Sequence, residues 1–564
     1  MISAVGGGVT CSWRVIYLST LLVFNIALSS CDSSVSAGSP QATVTPQTGS
    51  IKIKILNPKI KTAIVRVVGT TQTDSLDQDV LALSYCADNQ YISVWALGYS
   101  IEIIDCNGSP VFEYSVELKA LDVTDHLDYN LSGANVCRDC HSDVQGRTEY
   151  LEWNKDGHSR VFADPYFWTM YMGMDIYRNP EGPGFRLDNP GENGNCANCH
   201  APAAVNALRQ GMDLSTWNNN LPGSPINVET EGVTCDVCHK VMDVLLGNDL
   251  LPFVDHPGVS SLSFARPYPD QLLYTGPLAD HKPENPQIIT TCSPVFSESK
   301  FCAACHYGKF FDTVIYNSYG EWLVSPYSQK ENPNYRSCQD CHMLSPEQIG
   351  QTLPSERDAC SKANLNFRDF NHNMMKYGPD PDSPSQEIPT LVRDAATINI
   401  GAIKEEGKIK VKVIVENTGA GHKFPTDSPL RHLILVVEAR DENDTPLAQV
   451  EGPVIPAWGG DGNQLEDYAG RPGVIYANVL KDKDTNISPT AAYWNPTVPA
   501  WPGSDTRLIP GQPVRSDYSF VAPSKGDTIV TARLIYRYAF IDIIRQKGWP
   551  LKDVPVISAD SIVP

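Results

Sequence analysis

The chain has 564 residues, too many for one hydrophobic core, so two to four domains are expected. Its 44 Lys and Arg stand against 65 Asp and Glu, a net charge of −21. That balance argues against nucleic acid or an anionic membrane surface as partner and suits a cationic protein, although a solvated acidic surface is the simplest source of it.

Arg14 is the only charged side chain in residues 1–30, and the apolar run Val15 to Leu28 follows it, as in a secretory signal peptide. The run is short for a membrane span, so its removal on export is expected. Leu28-Ser29-Ser30-Cys31 resembles a bacterial lipobox, in which the Cys becomes the lipidated first residue, and this implies a lipid anchor through Cys31. Residues 31–50 are rich in Ser, Thr, Pro and Gly and read as a flexible tether. No later stretch is apolar enough to cross a bilayer. The expected address is the periplasm or the cell surface, on a membrane tether.

Residues 51–118 carry short strand-like runs, among them Ile51-Lys-Ile-Lys-Ile55, Thr62-Ala-Ile-Val-Arg-Val-Val68 and Tyr91-Ile-Ser-Val-Trp-Ala-Leu97. Polar turns separate them, which predicts a small β-sandwich. No catalytic cluster is visible there, so a spacer or docking role is the default.

Residues 119–384 contain one pentapeptide five times. Cys137-Arg-Asp-Cys140-His141, Cys196-Ala-Asn-Cys199-His200, Cys235-Asp-Val-Cys238-His239, Cys302-Ala-Ala-Cys305-His306 and Cys338-Gln-Asp-Cys341-His342 all fit Cys-x-x-Cys-His. Two thiols at this spacing can each form a thioether to one vinyl group of a porphyrin, and the adjacent imidazole then lies under the iron. Five covalently attached haem c groups are expected. Zinc ribbons also use Cys-x-x-Cys pairs, but they do not require His after every second Cys, and five pairs is an odd number for sites that take two pairs each. The segment has little sustained periodicity and long connections, so short helices joined by loops are predicted, with helical turns near Asn154 to Arg160 and Phe301 to Tyr307.

Residues 385–564 return to strands at Thr397 to Ile403, Lys408 to Val415, His432 to Glu438 and Thr528 to Tyr538, which predicts an immunoglobulin-like β-sandwich. Asp482-Lys-Asp484-Thr-Asn486 alternates oxygen side chains as calcium loops do, without the Gly and Glu that such loops need. The fold class is therefore a β-rich multidomain chain: a multihaem cytochrome c domain flanked by two β-sandwiches.

Of 16 Cys, ten lie in the motifs, with Cys11 in the signal and Cys31 at the lipobox. Cys86, Cys106, Cys292 and Cys360 remain, enough for two disulfides in an oxidising compartment, with three possible connectivities. Cys86 with Cys106 is favoured because both lie in one β-rich segment, and Cys292 with Cys360 follows.

Of 12 His, seven lie outside the motifs. A second imidazole on each iron would hold it six-coordinate and low-spin. His158 follows Glu152-Trp153, His372 sits among Arg368-Asp-Phe-Asn-His-Asn-Met-Met375, and His422 lies in the Gly-rich loop Asn417-Thr-Gly-Ala-Gly-His-Lys-Phe-Pro-Thr426. These three are the candidate distal ligands. His126, His256 and His281 are open alternatives for the other two haems, and His432 reads as structural. Met374 and Met375 could offer a Met/His site, but adjacent Met more often packs.

Gly421-His-Lys-Phe-Pro-Thr426, Gly232-Val-Thr-Cys-Asp-Val-Cys-His239 and Cys338-Gln-Asp-Cys-His-Met343 resemble exported multihaem cytochromes of the broad superfamily that includes tetrahaem electron carriers and hydroxylamine oxidoreductase. The likeness covers roughly residues 130 to 430 and implies that His422 is a distal ligand. Val94 to Tyr99 resembles regulatory β-domains found before catalytic or cytochrome modules. The first expectation is an electron carrier between a membrane oxidoreductase, or another cytochrome, and an acceptor. A second is an enzyme that reduces nitrite or oxidises hydroxylamine at one five-coordinate haem. A third makes the β-domains adhesion or assembly modules. No catalytic residue is assigned.

Overall fold

A computed structural model describes residues 51–564, apart from 69–72, 77–80, 84–85, 87–89, 107–112, 123–124, 127–128, 145, 206–213, 215–230, 269–271, 284, 345–359, 361–369, 375–389 and 461–466. The expected signal, lipobox and tether, with Cys11, Cys31 and Met375, lie outside the described residues. The chain is strand-rich, with 33% strand and 20% helix.

Strand Ile51–Ile55 alternates apolar residues with Lys, and its Ile51 and Ile53 are buried while Lys52 and Lys54 face solvent. It pairs antiparallel with Leu81–Leu83 and parallel with Glu113–Val116. A second sheet runs in the order Thr73–Leu76, Ala63–Val67, Tyr91–Trp95, Glu102–Asp105. Ile53, Val65, Ile92 and Val94 fill one core with the Cys86–Cys106 disulfide beside them. Trp95 donates from Nε1 to Thr291 Oγ1 at 3.0 Å, and Arg66 pairs with Asp280, so this part docks on the motif region. The Cys292–Cys360 disulfide lies in the same contact, beside Trp95 and Ala279.

Each motif sits on a helix of only four to seven residues: Asn135–His141, Ala197–His200, Cys235–Cys238, Lys300–His306 and Cys338–His342. Helices this short do not hold themselves, so caps and packing must. Ser337 and Asp340 form a reciprocal capping box on the last of them, and Thr234 accepts from Val237 N–H on the third. The expected turn near Asn154 is the helix Glu149–Lys155 followed by a 3₁₀ turn over Gly157–Arg160, and the one near Phe301 is Lys300–His306.

At the carboxy-terminal end two four-stranded sheets face each other. One runs Ala396–Glu405, Lys408–Asn417, Val514–Val521, Gln449–Glu451, and the other Gly473–Ala477, His432–Asp441, Thr528–Arg537, Asp553–Val563. Val411, Val413, Leu435, Phe520 and Leu534 fill the space between them. Strand His432–Asp441 is buried on both faces, because Ile434 and Val436 enter a further core with Ile455, Ile475 and Ala477. His432 is 0% exposed, stacks on Phe540 at 5.2 Å and is held through Nδ1 by Leu430 O at 3.0 Å. The Asp482 segment forms a turn in which Oδ1 accepts from the N–H groups of Asp484 and Thr485 at 2.9 and 2.8 Å.

Residues 49–564 pack as one unit, so the changes of architecture near 118 and 384 do not separate independent bodies. Lys547, on the helix-terminal turn after Ile541–Gln546, shows how tightly they join. Its Nζ donates to the carbonyls of Thr169, Met174, Glu181 and Pro183, and burial pushes its pKa down to about 8. No helix among the described residues is long and apolar enough to cross a membrane.

Leu435 is 0% exposed at the centre of the carboxy-terminal sandwich. Leu435→Ala is expected to cost about 3 kcal/mol, and equilibrium urea unfolding followed by tryptophan fluorescence should show the lowered midpoint.

Candidate cofactor site

Every Cys and His of the five motifs lines one cavity of about 1930 Å³. That is roughly twice the upper end of the range for a single small-molecule site, ~1,000 Å³. Much of its wall is aromatic, with Phe167, Phe296, Tyr316 and Trp322 among the lining residues. The ten motif thiols form no disulfide, and the only disulfides among the described residues join the other four cysteines.

Each motif imidazole is anchored by Nδ1. His141 is held by Glu149 Oε2 at 3.0 Å, His200 by Val161 O at 2.8 Å and His239 by Thr275 O at 2.7 Å. His306 is held by Asp427 Oδ2 at 3.0 Å and His342 by Met374 O at 3.1 Å. An acceptor at Nδ1 puts the proton there and leaves the Nε2 lone pair for a metal. Burial supports the ligating form at two positions, pushing the pKa of His200 and of His239 down to about 4. Burial also acts to lower His306, but the Asp427 carboxylate outweighs it and holds that imidazole up at about 9.

Three of these rings face another imidazole across the cavity. Ring centroids lie 6.1 Å apart for His306 and His158, 6.4 Å for His239 and His372, and 6.4 Å for His342 and His422. A metal–imidazole bond is about 2.0 Å and the ring centre lies roughly 1.1 Å behind its nitrogen, so two rings on opposite sides of one ion sit ~6.3 Å apart. His158 and His422 also have Nδ1 occupied, by Asp156 Oδ1 at 2.5 Å and by Lys423 O at 2.9 Å. At His372 the nearest carboxylate oxygen, Glu152 Oε2, is 3.8 Å from Nδ1 and accepts instead from the backbone N–H at 2.8 Å.

The remaining histidines separate. His126 directs Nε2 at Asp122, 3.3 Å away, and packs against a tilted Tyr268 ring, while His256 contacts Phe253 and does not line the cavity. His281 does line it. Among the described residues no imidazole stands opposite His141 or His200, and Phe167 stacks on His200 with centroids 3.7 Å apart. Met374 contributes its carbonyl to His342.

The thiols show which motifs are neighbours. Cys137 neighbours Cys235, Cys199 neighbours Cys305 and Cys302 neighbours Cys338, while Cys238 interacts electrostatically with Cys302 and Cys305. The first motif thus adjoins the third, and the fourth adjoins the second, third and fifth. A zinc site would need thiolates converging on one point. No group of three His, Cys, Asp or Glu among the described residues converges in that way. Aromatic walls, paired thiols in the cavity lining and imidazoles held at Nδ1 fit haem c.

Several residues around the cavity carry no sequence signature. The pair Asp236–Lys240, 2.7 Å apart with side chains 1% and 0% exposed, ties the third motif to the first. Asp236 also accepts from Tyr129 Oη at 3.1 Å and Ser132 N–H at 2.7 Å, just ahead of the first motif helix. Arg431 lines the cavity, and its charge reaches Tyr536, Asp427, Tyr316 and Tyr493. Tyr316 and Tyr493 share a hydrogen bond and both interact with Cys196.

No protein-family model and no curated protein matches the sequence. Among solved structures, a penta-haem cytochrome c552 from Thermochromatium tepidum aligns over 77% of this chain and 99% of its own, with a TM-score of 0.52 and 17% identity. That likeness extends to the fold. A family 123 glycoside hydrolase from Clostridium perfringens aligns over 30% of this chain and 27% of its own at 8% identity, and its TM-score of 0.12 carries no argument.

Removing Asp236 would leave the buried Lys240 ammonium without its carboxylate. Asp236→Ala is expected to destabilise the chain by about 3–5 kcal/mol, measurable as a shift of the denaturant midpoint, and Asp236→Asn by less because its amide oxygen still accepts.

Proposed function

We propose that this chain is an exported pentahaem c-type cytochrome that passes single electrons along a haem chain. The observation that carries the reading is the set of three facing imidazole pairs at 6.1–6.4 Å, each built from one motif His and one of His158, His372 and His422. In this reading each Cys pair holds one haem covalently, His141, His200, His239, His306 and His342 are proximal ligands, and the three partners are distal ligands. The haem supplies reversible one-electron chemistry; the chain aims the imidazoles, keeps water from the irons and fixes the order of the groups. Thioethers lie at the porphyrin edge, so touching thiols bring edges together. The thiol contacts therefore support a path from the first haem through the third to the fourth, with branches to the second and fifth. The net charge of −21 favours a cationic redox protein as partner, and the lipobox-like Cys31 favours a membrane tether after export.

A second reading is favoured at one place. His200 faces no imidazole among the described residues, and Arg431, which donates from Nη1 to Thr426 O at 3.3 Å, lies with Tyr316 and Tyr493 beside the same motif. An open iron there, flanked by a cation and phenols, would suit an enzyme acting on nitrite or hydroxylamine.

Haem quantification with electron paramagnetic resonance of the oxidised protein tests both readings. Five haems per chain are expected, and His158→Ala, His372→Ala and His422→Ala should each convert one haem per chain from low-spin to high-spin. Unchanged spin states in these variants would remove the carrier geometry proposed here. A stoichiometric high-spin signal in the unaltered protein that moves on adding nitrite, and loses that response in Arg431→Ala, would put the enzyme reading first.

A further inference from the structure

The anchoring acceptors are not equivalent. His200, His239, His342 and His422 rest on neutral backbone carbonyls, and His141 rests on one carboxylate, Glu149. His306 and His158 face one another and each rests on a carboxylate, Asp427 at 3.0 Å and Asp156 at 2.5 Å. Asp156 is 0% exposed, so its charge is little screened. The same motif is the one whose thiols adjoin three others.

We propose that the haem of the fourth motif is the lowest-potential haem of the chain and its junction. The assignment rests on the proposed ligation. A carboxylate at Nδ1 makes an imidazole a stronger electron donor to the metal, which favours ferric over ferrous iron, and here both ligands of one iron carry that partner. Arg431 offsets part of the effect, since its charge reaches Asp427, and Ser318 donates to Asp427 from its N–H at 3.2 Å and from its hydroxyl. On the other side, Asp156 accepts from both the N–H and the Nδ1 of His158.

The consequence is a division of the chain into arms. With haem bound, the carboxylate-backed imidazoles of His306 and His158 would hold their iron ferric, so an electron passing from a neighbouring haem onto it would move uphill, oxidising the donor as it reduces the junction, and would move downhill into the next arm. Electrons from an external one-electron donor would therefore fill the other four sites before the one held by His306 and His158.

The test is a spectroelectrochemical titration of the five-haem protein, compared with Asp427→Asn and Asp156→Asn. Both amides keep an acceptor oxygen, and the Asp156→Asn variant can still cap the 3₁₀ turn that starts at Gly157, so ligation should survive. Each substitution is expected to shift the last-reduced haem about tenfold toward its ferrous form, ~59 mV for one electron, and to leave the other four in place. Glu149→Gln should move a different transition. Identity can be checked independently. The imidazole planes cross at 65° for His158 and His306 but at 24° and 20° in the other two pairs. Crossed planes keep two iron d orbitals nearly degenerate, so the last signal lost on reduction should be the low-spin one with the largest g anisotropy. A shift confined to an earlier transition, or no shift, overturns the assignment. Fewer than five haems in the unaltered protein overturns the reading on which it rests.

Discussion

The middle region depends on one recurrent interaction, the hydrogen bond that fixes Nδ1 of each motif imidazole. A Cys-x-x-Cys-His pentapeptide supplies two thiols and a ring but nothing to stop that ring turning. The acceptor has to come from elsewhere: from Val161 for His200, from strand Leu272–Gly276 for His239, and from Asp427, 121 residues away, for His306. Each of these bonds requires a separate part of the chain to arrive at a set position. The layout of the middle region can be read as the delivery of acceptors and facing rings to five short helices.

Those helices explain why the two sandwiches are built so differently from the segment between them. In the carboxy-terminal sheets, strand pairing and alternating apolar residues close a core that needs nothing else, as Val413, Leu435 and Leu534 illustrate. The middle region buries Phe162, Trp168, Tyr171 and Ala197 in a cluster at the margin of a large cavity. Buried polar ties such as Asp236–Lys240 and the Cys292–Cys360 disulfide hold this region alongside that cluster.

The pentapeptides were legible because covalent attachment fixes residue type and spacing together. His158, His372 and His422 were singled out among seven spare histidines by their neighbours, and His422 also by resemblance; the cavity brings these three opposite motif rings. Strands such as Ile51–Ile55 and Lys408–Asn417 announced themselves by alternation, which the burial pattern follows. The acceptors were not legible. Val161, Thr275 and Met374 act through backbone carbonyls, which every residue has, and Asp427 and Asp156 are two among 65 acidic residues. The Arg431, Tyr316 and Tyr493 grouping was hidden for a related reason: Tyr316 is more than a hundred residues from the other two, and only the fold brings them together.

That closure changes what the carboxy-terminal sandwich is for. Seen as sequence it follows the haem segment and could be a separate appendage. In the fold, the loop after strand Lys408–Asn417 sends His422 to face His342 and Asp427 to hold His306. The loop is itself fastened to the motif region. Glu321, its side chain 4% exposed, accepts from Lys423 N–H at 3.2 Å and Thr426 Oγ1 at 2.8 Å, and pairs with Arg507 at 2.8 Å. A change in that network would not touch His306 or His342 directly, yet it would move a facing ring and a carboxylate together. The closing of the sandwich and the placing of His422 and Asp427 are thus coupled, because the same short loop belongs to both.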